Sequence, residues 1–185
     1  MHARSHATVQ DLYHVPDKAE LVNGELRRVS PTGGKPGRAG LKIAASLERF
    51  EEEHGGGYAI PDNVGFVVDL PNRQSFSPDA AWYIGEADDM EFLQGAPAFA
   101  VEVRSNNDYG PQAERAIAQK IRDYFAAGTA VVWDVDLLGA DIITAYRADN
   151  PDLPAIYHRG DIANAEPAVP GWTFAVDTLF RRQSR

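Results

Sequence analysis

Ala98-Phe99-Ala100-Val101-Glu102-Val103-Arg104 is the stretch whose alternation decides the fold. Successive side chains of a strand point to opposite faces, so Phe99, Val101 and Val103 share one face while Ala98, Ala100, Glu102 and Arg104 share the other. Two charges therefore sit on a strand face otherwise lined with alanines. Pro111 to Ala127 follows as the strongest helical segment. Proline suits a first turn, Gly128 suits the position just past the end, and Ala113, Ile117, Ile121, Tyr124 and Phe125 form the apolar stripe. Lys120 falls inside that stripe, on the side the helix buries.

Working outward, Asp79 to Ile84, Asn63 to Leu70 and Tyr58 to Ile60 read as strands, separated by the turn-rich Pro61-Asp62 and Pro71-Asn72-Arg73. Leu41 to Glu53 reads as a helix, with Ile43, Leu47 and Phe50 on one face and Gly55-Gly56-Gly57 as its stop. Before it, Pro31 to Gly40 holds four glycines and two prolines and reads as a loop. Glu20-Leu21-Val22-Asn23-Gly24-Glu25-Leu26 reads as two short strands around an Asn-Gly turn, which tolerates the positive φ of a tight hairpin. Downstream, Ala130 to Val135 and Asp141 to Tyr146 are two further strands, and the acidic stretch from Glu86 to Glu91 is an exposed connection. With 185 residues, no internal repeat and no low-complexity linker, the chain reads as one domain with its core over residues 8–180 and mobile ends.

Composition narrows the chemistry. The chain has no cysteine, which excludes disulfides, thiolate metal sites and cysteine nucleophiles and suits a reducing compartment. Met1 to Gln10 carries charges and histidines where a signal peptide needs an apolar run, and no segment approaches a membrane span, so a cytoplasmic location without membrane contact is expected. The histidines, at 2, 6, 14, 54 and 158, show no zinc-protease spacing, and His2 and His6 fall on a mobile end. No Gly-x-Ser-x-Gly elbow is present. Gly33-Gly34-Lys35-Pro36 lacks both the spacing and the hydroxyl residue of a phosphate-binding loop.

What remains is a carboxylate constellation. Asp79 stands at the start of one strand and Glu102 in the middle of another, and a buried lone carboxylate costs several kcal/mol unless a cation or donors satisfy it. Lys120 points toward the same interior. Mg²⁺ is held by one or two carboxylates while keeping several waters, and a metal-bound water beside a lysine is a nucleophile for phosphodiester hydrolysis. The lysine orients that water, or takes its proton where burial lowers the lysine pKa. Spacing alone is equally consistent with a sheet-to-helix ion pair of Glu102 with Arg104 or Lys120 and no metal.

The same residues carry a resemblance. Pro78-Asp79, Ala100-Val101-Glu102-Val103-Arg104-Ser105, Lys120 to Gly128 and Val132-Trp133-Asp134-Val135-Asp136 resemble, in order, the motifs of the Uma-type restriction-endonuclease family, within the PD-(D/E)XK nuclease superfamily. Glu20 to Leu26 resembles the family's opening motif and Pro170-Gly171-Trp172 its closing one. The resemblance implies an α/β, restriction-endonuclease-like fold: a mixed central sheet flanked by helices. It implies Mg²⁺ or Mn²⁺ as cofactor, Asp79 and Glu102 as metal ligands with the Val103 carbonyl as a third, and Lys120 as the catalytic lysine. The superfamily's usual lysine lies two residues after the acid, where this chain has Arg104; a guanidinium is a poor base, so Arg104 is a supporting residue that stabilises phosphorane charge. Glu20 matches the family's N-terminal acid and holds a second metal or orients a metal water, unless it is a plain hairpin charge. Pro36 stands where related sequences often carry histidine.

The function expected is Mg²⁺-dependent DNA endonuclease activity, with a homodimer allowing both strands to be cut. The alternatives are a non-catalytic binding or assembly protein that keeps the fold, and a small-molecule phosphodiesterase. Asp134 and Asp136 read as turn-side charges, and Trp82, Tyr124, Trp133 and Trp172 as packing groups. The net charge of −9 argues against blanket polyanion binding, but it is uneven. Leu26 to Leu47 holds five basic residues, Arg27, Arg28, Lys35, Arg38 and Lys42, and no acid. DNA is expected along this strip, at Lys35, Arg38 and Lys42, with few phosphate contacts.

Overall fold

A computed structural model describes residues 6–87 and 90–180. His2 and most of the end expected to be mobile, the middle of the acidic connection at residues 88 and 89, and residues 181–185 lie outside the described residues. In chain order the elements are α1 (Val9–Leu12), β1 (Ala19–Val22), β2 (Glu25–Arg28), α2 (Gly34–His54), β3 (Tyr58–Pro61), β4 (Phe66–Leu70), β5 (Arg73–Phe76), β6 (Ala80–Tyr83), β7 (Leu93–Gln94) and β8 (Phe99–Val103). Then come α3 (Pro111–Ala126), β9 (Val131–Val135), β10 (Ile143–Arg147), β11 (Ala155–Tyr157), β12 (Ile162–Asn164) and β13 (Thr173–Ala175), with a closing 3₁₀ turn over Val176–Leu179.

The central sheet has six strands in the order β11-β10-β9-β8-β6-β3 and is mixed, β8 and β9 running parallel and the other neighbours antiparallel. Its two faces bury different partners, as the alternation along β8 requires. Phe99, Val101 and Val103 pack with Trp82, Trp133 and Ile143 against Ile43 and Leu47 of α2 and against Trp172 and Phe174 of the C-terminal segment. Ala100, Ala81 and Val132 face the other way, onto Ile121 and Tyr124 of α3 and onto Phe66 and Phe76. Those two phenylalanines belong to a second, five-stranded sheet, β2-β1-β5-β4-β7. Helices thus cover both faces of the central sheet, and on one face α3 shares the work with a second sheet. Trp82, Tyr124, Trp133 and Trp172 are all buried, as packing groups should be. Among the described residues no helix is long and apolar enough to cross a membrane.

The β1–β2 hairpin forms as its sequence dictates, with Asn23 at φ 52° and Gly24 at φ 70°, the positive angles that a two-residue turn matching strand twist demands. Two segments depart from expectation. Helix α2 starts at Gly34, so most of the segment expected as a loop is helical. Pro36 falls in the first turn, where backbone N–H groups have no helical partner to lose, and Gly40 meets the sheet: a Cβ there would lie 3.1 Å from the Asp79 carbonyl oxygen. The glycines depress helix propensity by about 1 kcal/mol each, but burial of Ala39, Ile43 and Leu47 outweighs that cost. Likewise Arg73, read as part of a turn, opens β5, which pairs with β1 and β4.

Candidate active site

The register of β6 and β8 builds the floor of the site. Ala80 pairs with Val101 and the Asp79 N–H donates to the Val101 carbonyl at 2.9 Å, so Asp79 stands opposite Glu102 on the same face of the sheet. The Val103 N–H donates to Asp79 Oδ2 at 2.7 Å and fixes the carboxylate's orientation. Its other oxygen, Oδ1, lies 3.3 Å from Lys18 Nζ, which is also 2.5 Å from Asp62 Oδ1. Asp79, Glu102 and Lys120 all line one open cleft of about 880 Å³.

Lys120 arrives from α3 as its position in the helical stripe predicts. Its Nζ sits 2.8 Å from Glu102 Oε1 and 2.8 Å from Glu20 Oε1. One turn further on, Tyr124 donates its hydroxyl proton to Glu102 Oε1 at 2.6 Å. Burial pushes the Lys120 ammonium toward deprotonation, but the Glu102 and Glu20 carboxylates outweigh it and lift its pKa above the ordinary lysine range. The lysine is therefore protonated. Of the two roles expected for it, orienting the water suits this raised pKa, whereas taking the proton needed a lowered one. Glu102 shifts upward, through burial first and then repulsion from Asp79 and Glu20, with Lys120 opposing. The Tyr124 hydroxyl, pushed well up by burial and by Glu102 and Glu20, stays a donor.

Glu20 is more fully occupied than Asp79 or Glu102. It is 6% exposed, and its two oxygens accept from Lys120, from the Ser77 N–H at 3.0 Å and from Arg73 Nη1 at 2.6 Å. Burial alone would raise its pKa, yet Lys120, Arg73 and the Ser77 donor bring it down to about 2. Arg73 in turn donates through Nε to Asp123 at 2.9 Å, and Asp123 also accepts from Asn72 and Gln119. Charges alternate along the chain Asp123, Arg73, Glu20, Lys120, Glu102. The hairpin acid thus holds Lys120 in place, and a second-metal role for it would require displacing three donors.

Arg104 lies on the cleft wall, clamped between strand and helix. It donates to both oxygens of Asp134 at 2.9 and 2.6 Å and to both oxygens of Glu114 at 2.5 and 3.0 Å. Its guanidinium donors are engaged by carboxylates, so any reach toward substrate is limited by that clamp. Asp134, buried on β9, is the partner that holds it. Asp136 accepts from the Leu138 and Gly139 N–H groups and from Tyr109, as a turn-side charge does.

The basic strip divides. Lys35 donates to the Leu137 carbonyl and lies over the Phe180 ring, and Lys42 donates to the Thr178 and Leu179 carbonyls. Both lysines tie α2 to neighbouring segments. Arg38 is exposed on α2, and none of the three lines the cleft. Arg27, from the same strip, does line it, together with Arg115 of α3, and both are exposed. Sequence reasoning missed Lys18, Arg73 and Arg115. Lys18 is two residues before Glu20, the spacing that places both on one strand face; Arg73 and Ser75 show the same parity in β5.

The donor set suits a hard divalent cation. Asp79 and Glu102 present carboxylate oxygens across one strand pair, and their mutual repulsion, which raises the Glu102 pKa, is the stress a cation relieves. Among the described residues no group of three or more Asp, Glu, His or Cys side chains stands in metal-holding geometry; Asp79 and Glu102 are a pair.

No curated protein matches the sequence significantly. The fold is similar to the crystal structure of a "putative nuclease belonging to DUF820" from Anabaena variabilis ATCC 29413, with a TM-score of 0.72 at 14% identity, over 94% of this chain and 97% of that one. The model of the Uma2 family, described as "Putative restriction endonuclease", matches residues 8–177. That span includes the β1–β2 hairpin, the facing acids and the lysine helix, and the chain belongs to the Uma2 family.

Proposed function

We propose that this chain is a metal-dependent nuclease that hydrolyses phosphodiester bonds, with DNA as its substrate. The observation that carries the reading is the meeting of Asp79, Glu102 and Lys120 in one open cleft. Asp79 and Glu102 would hold Mg²⁺ or Mn²⁺, with the Val103 carbonyl as the further oxygen that the family resemblance implies. When bound, such an ion supplies a water acidified enough to attack phosphorus in line and offsets charge on the phosphoryl oxygens.

The chain's own groups perform the rest. The Val103 N–H and the Tyr124 hydroxyl set the orientations of the two acids. Lys120, kept cationic by Glu20 and Glu102, stabilises negative charge as it develops on a phosphoryl oxygen, a contribution of about 10²–10³ in rate for a well-placed donor. Arg27 and Arg115, exposed on the cleft walls, are placed to meet the flanking phosphates. They are better situated for this than Lys35 and Lys42, whose ammonium groups serve the C-terminal half of the protein.

The test is nicking of supercoiled plasmid by the purified protein in Mg²⁺ or Mn²⁺. Cleavage is expected in the wild type and is lost in Asp79→Ala and in Lys120→Ala, while Glu52→Gln on the exposed side of α2 retains it. Nicking that survives both cleft substitutions places the active site elsewhere. One observation favours a second reading: Lys120 already pairs with both Glu20 and Glu102, the arrangement of a structural ion-pair cluster. A non-catalytic binding protein on this fold would show neither nicking nor calorimetric Mn²⁺ binding at millimolar metal.

A further inference from the structure

The geometry points to Lys18 as a resident counter-cation that competes with divalent metal for Asp79 and retreats onto Asp62 when metal binds. This rests on the metal-dependent reading above and deepens it. Asp79 is held at one oxygen by the Val103 N–H at 2.7 Å, so it cannot turn away. The cation at its other oxygen is Lys18, at the looser distance of 3.3 Å. The tight partner of Lys18 is Asp62, at 2.5 Å. The lysine therefore bridges a fixed, cleft-facing carboxylate and a second one whose side chain is 49% exposed. Because Nζ is already bonded to Asp62, leaving Asp79 means giving up only the 3.3 Å contact. A salt bridge at a half-exposed acid contributes little to stability, which makes Asp62 expendable as a fold element and suited to receive the lysine.

The arrangement of the two lysines in the cleft is asymmetric. Lys120 is locked between Glu20 and Glu102 at 2.8 Å each, so it has no room to leave without baring buried charge. Lys18 has somewhere to go. A divalent ion docking on Asp79 places two positive charges within a few ångströms of the Lys18 ammonium, and that repulsion is relieved when the lysine swings to Asp62. Without metal, Lys18 offsets part of the Asp79 charge, and the repulsion that Glu102 still feels from Asp79 is what the ion would relieve. With metal, it stands aside.

Calorimetric titration of Mn²⁺ into the full chain tests this by affinity rather than cleavage. Lys18→Met is expected to bind Mn²⁺ about tenfold more tightly than the wild type. Asp62→Asn strands Lys18 on Asp79 and is expected to weaken binding about threefold to tenfold. In the Lys18→Met background the Asp62→Asn change has little further effect, because its influence passes through the lysine. The surface substitution Asp62→Asn keeps the test decisive should Lys18→Met fold poorly. Unchanged Mn²⁺ affinity in Lys18→Met, or equal effects of Asp62→Asn with and without Lys18, overturns the inference. Lys18→Met that loses DNA binding while Mn²⁺ affinity stays put makes Lys18 a phosphate contact and also overturns it. If neither wild type nor variants bind Mn²⁺, the metal-dependent reading itself falls, and this inference with it.

Discussion

Burial in the cleft works against the charge on Lys120, while Glu102 and Glu20 hold the proton on it; the contest is decided by two carboxylates at 2.8 Å. Under the proposed function the lysine would act through its charge, and the proton of the attacking water would pass to another acceptor. Glu20 carries the opposite signature, a pKa brought from 4.5 to about 2 by Lys120, Arg73 and the Ser77 donor against the effect of burial. An acid depressed in the folded state contributes stability above its unfolded pKa and loses it as pH falls toward the folded value. Thermal melts of wild type and Glu20→Gln should accordingly differ most at neutral pH and converge between about pH 4.5 and 2. A constant difference across that range would mean that Glu20 is not held by charge. At this scale much of the site was legible from residue type and parity: a carboxylate interrupting an alanine-lined strand face, and a lysine inside a helix's apolar stripe. Arg73 was not, because a Pro-Asn pair before it signals a turn and only the pairing with β1 and β4 makes it a strand residue facing Glu20.

Helix α2 shows how an element escapes its local signal. Apolar periodicity begins at Leu41, but the helix begins at Gly34, and within its added turns Gly40 serves contact rather than propensity. Gly40 lets the helix backbone settle over Asp79, where a Cβ would stand 3.1 Å from the carbonyl oxygen and 3.4 Å from the aspartate Cβ. Gly40→Val should cost about 1–3 kcal/mol through overpacking, read as a lowered midpoint in urea, and should weaken Mn²⁺ binding by displacing Asp79. A variant as stable as the wild type with unchanged Mn²⁺ affinity would show that α2 does not position the acid. The β1–β2 hairpin, α3 and β8 could be read within a residue or two, since Asn-Gly, Pro at the first helical turn and strict alternation are local rules. The second sheet could not, because β4, β5 and β7 are joined to β1 by pairings far apart in sequence.

Across the whole molecule the excess of acid, −9 for the chain, bears on how a polyanion would approach. With Lys35 and Lys42 committed to carbonyls of Leu137, Thr178 and Leu179, the exposed cations beside the cleft are Arg27 and Arg115. DNA binding should therefore fall only gently with salt, with a log–log slope of about −2 to −3, and Arg27→Glu or Arg115→Glu should each flatten it by about one. A steep slope that neither change alters would move the interface to another face. The fold and the family were readable from ordered motifs spread over most of the chain, whereas the identity of the cleft cations depended on which way each exposed arginine turns. What separates an enzyme from an ion-pair scaffold is whether the facing acids take a metal. A crystal soaked in Mn²⁺ and measured at the manganese edge tests that most directly. An anomalous peak shared by the Asp79 and Glu102 carboxylates is expected, with Lys18 gone from Asp79 and held by Asp62 alone, and a cleft without a peak, its lysines still on Asp79 and Glu102, would contradict metal binding there.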